Sequence, residues 1–184
     1  LSSVGTKNNP IILKPNHKFW GGIFVSDSKN QKSQIKYNKI IGTNFFKHKA
    51  INLTGGLNFY RSDVEITKTD IFNSYAEDAL NFIQSNFMIK DSTFANHKSD
   101  AIDSDFSNGK IINVIFDNIN NDAIDTSGSK VLVSKSNFNK VNDKAISAGE
   151  SSNLLLDNLN INNSKFGIAS KDGSTINANN ININ

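Results

Sequence analysis

Ala79, Ala101, Ala123, Ala145 and Gly167 stand 22 positions apart without a slip, across the second half of the chain. An aliphatic residue follows each one: Leu80, Ile102, Ile124, Ile146 and Ile168. Phe72, Phe94, Phe116 and Phe138 keep the same interval of 22 in a separate frame. Two independent columns sharing one period admit few folds. Helical repeats run to about 33 residues or more and carry a 3.6-residue hydrophobic pattern, which these units lack. The leucine-rich frame Leu-x-x-Leu-x-Leu-x-x-Asn is missing as well. The units read instead as short alternating strands parted by Asn, Asp, Ser and Gly, as in "SNFMIKDSTF" (Ser85 to Phe94) and "SKVLVSKSNF" (Ser129 to Phe138). Three short strands and three turns per unit make one coil of a parallel β-helix. The expected fold is therefore all-β: a single-domain, right-handed parallel β-helix of about seven coils, roughly 34 Å long at about 4.8 Å per coil. Asn, which favours turns over helix interiors, is abundant enough to suit such a chain.

Upstream, Gly22-Ile23 and Ala50-Ile51 extend the alanine column with longer rungs of 28 and 29 residues. The surplus is assigned to loops in "SDSKNQKSQ" and "LTGGLNFYRSD". One domain thus spans residues 1–184, with longer-looped opening coils over 1–75 and regular 22-residue coils over 76–184. The final "NNININ" stops inside a coil without a polar cap. A raw end invites edge pairing, so the chain is expected to be a piece of a longer protein.

Composition narrows the chemistry. Cys is absent, so disulfides and thiolate metal sites are excluded. No apolar run approaches the roughly 18 residues of a membrane span, and no membrane insertion is expected. The net charge of +3 conceals an imbalance: residues 1–60 hold nine Lys and one Asp, whereas 61–184 hold eleven Lys plus Arg and sixteen Asp plus Glu. The lysines of the basic end are spread singly and no arginine cluster accompanies them, so nucleic acid is not the expected partner.

The strand frames, the repeated "DAID" (Asp100 to Asp103, Asp122 to Asp125) and the opening "GTKNNPIIL" to "FWGGIFVSD" resemble the right-handed parallel β-helix repeats of secreted and surface proteins, pectate-lyase-like in architecture. The resemblance covers essentially the whole chain. It implies the fold and an extracellular, periplasmic or cell-surface location. It implies no single activity, because that architecture hosts lyases, hydrolases, epimerases, adhesins and inert stalks.

Coil upon coil, Asp78, Asp100, Asp122 and Lys144 fall in one column and Asn81, Asp103, Asp125 and Ser147 in another. Asp105 lines up with Ser127, Gly149 and Lys171. With Ile102 and Ile124 facing inward, Asp103, Asp105 and Asp125 point outward, and Ala101, Ala123 and Ala145 are expected beside them as the walls of a shallow acidic trough. Carboxylates about 5 Å apart repel by roughly 1 kcal/mol in water and about 3 at an effective dielectric of 20. A raised pKa, a bound cation or an intervening donor relieves this. Asp78, Asp100 and Asp122 adjoin the turn, where bonding to turn amides is the plainer reading. The other reading makes Asp100, Asp103, Asp122 and Asp125 ligands of Ca²⁺, which takes six to eight oxygens.

Two functions follow. In the first, Asp103, Asp105, Asp125, Ser127, Ser147 and Asp172 line a groove for an acidic polysaccharide. Lys144, Lys171 and Glu150 are then the candidate catalytic groups: a cation acidifies the proton α to a uronate carboxylate and a lysine removes it. Lyases of the β-helix family that depend on calcium, some with a lysine base, make this chemistry conceivable, although no complete lyase signature is present. A neighbouring carboxylate opposes it by raising a lysine's pKa, and a salt bridge ending the acidic ladder is the simpler account of Lys144. In the second, the chain is a non-catalytic surface spacer. A one-residue surplus in the turn holding Glu150, where Val131 to Leu154 is 23, gathers departures from the repeat near "DKAISAGE" and "GIASKD". His17, His48 and His97 share no column and read as solvated loop residues. Phe72 to Phe138 read as an inward stack; Trp20 and Tyr60, in the looped rungs beside Arg61, are candidate exposed sugar-stacking rings, with a seal on the first coil the plainer reading of Trp20. "NLT" at Asn52 and "NNS" at Asn162 match glycosylation sequons, a pattern common by chance in an Asn-rich chain.

Overall fold

The computed structural model describes residues 1–28, 31–48 and 51–184. It is a right-handed parallel β-solenoid with no helix among the described residues. Three faces are built from strands that each pair with the corresponding strand of the next coil. The first face holds β3 (Ile23–Ser26), β8 (Gly55–Tyr60), β11 (Asp78–Ile83), β13 (Asp100–Asp105) and β15 (Ile124–Ser127), and the closing parts of β17 (Asn137–Gly149) and β18 (Asn153–Ser170). The second holds β1 (Ser2–Val4), β4 (Ser33–Lys36), β9 (Val64–Thr67), the opening parts of β12 (Asn86–His97) and β14 (Asn108–Ile119), β16 (Lys130–Ser134), and the opening parts of β18 and β19 (Thr175–Ile183). The third face joins β2 (Ile11–Leu13), β5 (Asn38–Ile41) and β10 (Asp70–Phe72) to the remaining parts of β12, β14, β17, β18 and β19. The only antiparallel pair among the described residues is a side hairpin, β6 (Phe46–His48) and β7 (Ile51–Leu53).

Register confirms the 22-residue coil. Leu80, Ile102, Ile124, Ile146 and Ile168 stack in order. The column reaches upward through Leu57 to Ile23, not through Ile51, and makes six steps in all, so the solenoid has about six turns rather than seven. Gly56, beside Leu57, takes the place expected of Ala50, which lies outside the described residues. The surplus belongs mainly to the segment that carries the hairpin, because Thr43 is bridged to Trp20 while Gly55 already pairs with Asp78. "LTGGLNFYRSD" therefore supplies a regular strand where a loop was expected.

The phenylalanine column also shifts. Phe72 pairs with Ala95, and Ile71 pairs with Phe94, because the coil between them carries 23 residues. Phe94, Phe116 and Phe138 are fully buried, with ring centroids 5.4 and 4.8 Å apart. Phe59, Phe82 and Phe87 form a second inward stack. A side chain on Gly109 would collide with it: a Cβ there would lie 2.0 Å from the Phe87 ring.

The chain turns at three corners per coil, mostly on one left-handed residue each. Asn73, Asn96, Asn118 and Asn163 turn one corner, and Asn113, Asn158 and Asn180 another. Asn tolerates this conformation better than most residues. Its amide then bonds the residue one coil away, as from Asn113 to Asp91 and from Asn118 to Asn96. Inside the corner after the first face stands a serine ladder that the sequence reading did not separate from the turns. The backbone N–H groups of Ser62, Ser85, Ser107, Ser129 and Ser152 donate to the hydroxyls of Ser85, Ser107, Ser129, Ser152 and Ser174 respectively. Each bend thereby satisfies amides that the strands leave unpaired. His97 also departs from expectation. It lies in β12, buried, with Nδ1 accepting the Ser74 N–H, and burial lowers its pKa to about 3, so it is neutral. Trp20 does seal the opening coils, its Nε1–H donating to the Ile41 carbonyl at 2.9 Å. Among the described residues no helix is long and apolar enough to cross a membrane.

Replacing Ser129 by Ala strands the buried Ser107 N–H, which donates to Ser129 Oγ at 2.9 Å. The expected loss in urea unfolding is about 1–3 kcal/mol. Ser134→Ala, on the outward side of β16, should stay within about 0.5 kcal/mol of the parent.

Candidate functional site

The acidic columns fall where the repeat puts them, on the first face. Asp78 pairs with Asp100, Asn81 with Asp103, Asp103 with Asp125, Asp125 with Ser147, Asp105 with Ser127, and Ser127 with Gly149. Their surroundings differ from the expected trough. Ala79, Ala101, Ala123 and Ala145 are fully buried. Two of the three glycines of that column show what it faces: a Cβ on Gly56 would lie 2.3 Å from Thr43 Oγ1, and one on Gly167 would lie 2.8 Å from Ile183 Cδ1. The small residues thus point into the corner against the third face, where larger side chains would not fit. They do not flank the acids. Asp103, Asp105 and Asp125 do point outward but are only half-exposed, and Ser147 is buried with its Oγ unpartnered.

Two reliefs for stacked carboxylates appear together. One is donation across coils. The Asp122 N–H donates to Asp100 Oδ1 at 2.8 Å, and the Lys144 N–H to Asp122 Oδ1 at 2.9 Å, so these acids bond backbone amides of the next coil. Asn81 Nδ2 donates to Asp103 Oδ2 at 2.8 Å and more weakly to Asp78. Asp125 Oδ1 accepts the Thr126 N–H at 3.0 Å. The other relief is protonation. Burial first, then the charges of Asp78, Asp105, Asp125 and Asp100, raise Asp103 to about 8. Burial and then Asp100 raise Asp78 to about 7, and Asp100 rises to about 6, chiefly through burial. Asp105 is raised by burial, then by Glu150 and Asp125. At neutral pH Asp103 is therefore mostly protonated and Asp78 about half so, which lowers the negative charge of the face.

Lys144 closes the column. Its ammonium bridges Asp122 at 3.2 Å and also bonds Asp143, which Lys165 reaches from the other side. Burial pulls the Lys144 pKa down, but the two carboxylates win and it is raised. Burial of Asp122 outweighs the lysine in turn, and its pKa is raised as well. Glu150, Lys171 and Asp172 lie together at the corner that ends the first face. The Lys171 N–H donates to the Ala148 carbonyl, and the Ser151 N–H to the Asp172 carbonyl. The extra residue of this corner is real: Ser127 pairs with Gly149, but Lys130 pairs with Asn153. Five residues of extended strand, roughly 17 Å, separate that corner from Lys144. The departures from the repeat thus share a face but occupy its two opposite edges.

The four acids read as calcium ligands form two pairs, three residues apart along the strand, or roughly 10 Å. No three His, Asp or Glu side chains gather where they could share a metal ion among the described residues. The hairpin shapes the upper end of this face, where Asn52, Leu53 and Thr54 meet Asn58, Asn81 and Tyr60 round a cleft of about 130 Å³. Sequence reasoning passed over Phe106. Its ring is 60% exposed at a corner whose other members are polar or Gly, and it lies over Gly128, where a Cβ would meet it at 2.6 Å. The signal was available, since the single aromatic residue in that corner column follows Asp105 directly.

No described protein family matches the chain, and no curated protein matches it. Among solved structures it is similar to a trypsin-treated variant of QnrB1, described as a plasmid-mediated fluoroquinolone resistance protein, at 12% identity and a TM-score of 0.27 over 96% of this chain and 91% of that one.

The raised carboxyls set a pH dependence whose sign is fixed. An unfolded Asp ionises at about 3.9. In the folded chain Asp103 holds its proton to about 8. Stability from this group is therefore fullest below about pH 4 and is lost as pH rises through 8. Thermal melts should fall from pH 5 to pH 9 by the equivalent of a few kcal/mol, at about 1.4 per pKa unit. Asp103→Asn should flatten the profile and raise the melting temperature at pH 8. A flat parent profile would contradict the protonated column.

Proposed function

We propose that this chain is a non-catalytic β-solenoid module of a secreted or surface protein, a rod that holds its outer faces out for a ligand. The observation that carries the reading is the fixing of Lys144. The lysine expected to act as base is clamped by Asp122 and Asp143, and its pKa is raised. A base at neutral pH needs the opposite shift. Lys171 stands at the other edge of the face and cannot share a substrate atom with it. Protonation of Asp103 and the amide bonds to Asp100 and Asp122 give the acidic column a structural use, as the outer seam between coils. An acidic polysaccharide remains the proposed partner class, but the acidic face is the wrong place to meet a polyanion.

The test is release of unsaturated products from uronate polymers, followed by absorbance, with Ca²⁺ and then with chelator. No product is expected in either condition. Product that disappears in Lys144→Ala would overturn the non-catalytic reading.

The mutual repulsion around Asp103, where four neighbouring aspartates raise its pKa, favours a second reading in which Ca²⁺ takes the place of the protons above pH 8. Millimolar Ca²⁺ then raises the melting temperature at pH 9, and Asp103→Ala with Asp125→Ala abolishes the rise. An unchanged melting temperature in the parent protein removes the metal from the proposal.

A further inference from the structure

A broad concavity lies on the second face of the rod, away from the acids. It is a groove of about 610 Å³ crossing β12, β14, β16 and β18. Lys32, Lys110 and Lys130 line it, and no carboxylate does. Lys32 is paired with Glu65 at 3.0 Å. Lys110 and Lys130 are exposed, and neither they nor the nearby Lys90 make an ion pair among the described residues.

Register gives the layout. Met88 pairs with Lys110 and Lys110 with Leu132, while Lys90 pairs with Ile112 and Asn108 with Lys130. Lys90, Lys110 and Lys130 therefore step one outward column per coil, a diagonal with neighbours roughly 8 Å apart. Between them the floor is apolar, with Met88 and Leu132 half-buried and Leu155 50% exposed. Asn86, Asn108 and Asn153 stand on the rim. Three cations on a stiff sheet repel one another, and no ion pair among the described residues offsets this. The arrangement asks for an anion.

We propose that this groove binds a carboxylate-bearing polysaccharide laid across the coils. Lys110 and Lys130 would meet successive carboxylates, the Asn153 amide a ring hydroxyl, and Met88, Leu132 and Leu155 the C–H face of the sugars, while Asn86 and Asn108 donate to Asp63 and Asn86 respectively. The chemistry favours a polyuronate over nucleic acid: the lysines stand singly, no arginine is present, and no exposed aromatic ring lines the groove for a base to stack on. The site goes beyond the spacer reading and survives a blank in the lyase assay.

The test titrates the full chain with oligogalacturonate, neutral dextran and single-stranded DNA, at low and at physiological salt. Oligogalacturonate binds, more weakly as salt rises. Lys110→Gln with Lys130→Gln reduces its affinity about tenfold or more at an unchanged melting temperature. Lys39→Gln with Lys140→Gln, which alters two exposed lysines away from the groove, leaves the affinity as it was. Absence of binding to the parent protein overturns the polysaccharide assignment. Binding that survives the Lys110 and Lys130 substitutions overturns the groove as its place. Equal or tighter binding of DNA overturns the ligand class, and equal binding of dextran overturns the role of the carboxylate.

Discussion

Parallel stacking in register is the constraint on which the rest of the structure depends. Each coil lies about 4.8 Å from the next, so every side chain meets its counterpart one repeat away. Equal neighbours suit some groups and punish others. Apolar residues stack without penalty, and the inward isoleucines and phenylalanines use this fully. Amides can donate to amides, and the asparagines form chains along the outside, as from Asn142 to Asn120 and from Asn160 to Asn137. Serine hydroxyls accept from one coil and donate within their own, which makes the corner ladder self-satisfying. Charged groups gain nothing from their own kind.

That asymmetry explains which parts of the fold were legible in the sequence. The alanine–isoleucine column could be read because it repeats at 22 without a slip, and a single inward direction leaves it no freedom. The phenylalanine column misled at Phe72, because an aromatic residue beside Ile71 copied the period while the chain added one residue between coils. Gly56-Leu57 was missed for a similar reason. The hairpin pushed the true rung out of period, and Ala50-Ile51 imitated it by composition.

The candidate site was legible in its neighbours but not in its solvation. Spacing alone placed Asp103 on Asp125 and Lys144 on Asp122. It could not say that the alanines turn inward at the corner, since alternation along a strand puts Ala101 and Asp103 on one side and a bend breaks that rule. Nor could it give the depth of Asp103, which depends on how Asn81 and four aspartates crowd it. His97 is the opposite case. Its column has no histidine above or below, but Ile119 and Val141 follow it at intervals of 22 and are buried, so the period did mark the position as inward, and the ring sits between Phe94 and Ser74.

The two charged regions use opposite layouts. On the first face, aspartates repeat in columns at the coil spacing, and the chain answers with amide donors, a lysine and raised pKa values. On the second face, the lysines never follow one another in a column. Each steps aside by two residues, which widens their separation from about 5 to roughly 8 Å. At that distance the ammonium groups stand apart and stay open to solvent. Acids in a column are already served by their own structure, but cations on a diagonal are not. The part of the rod with charge left to offer is therefore the basic groove.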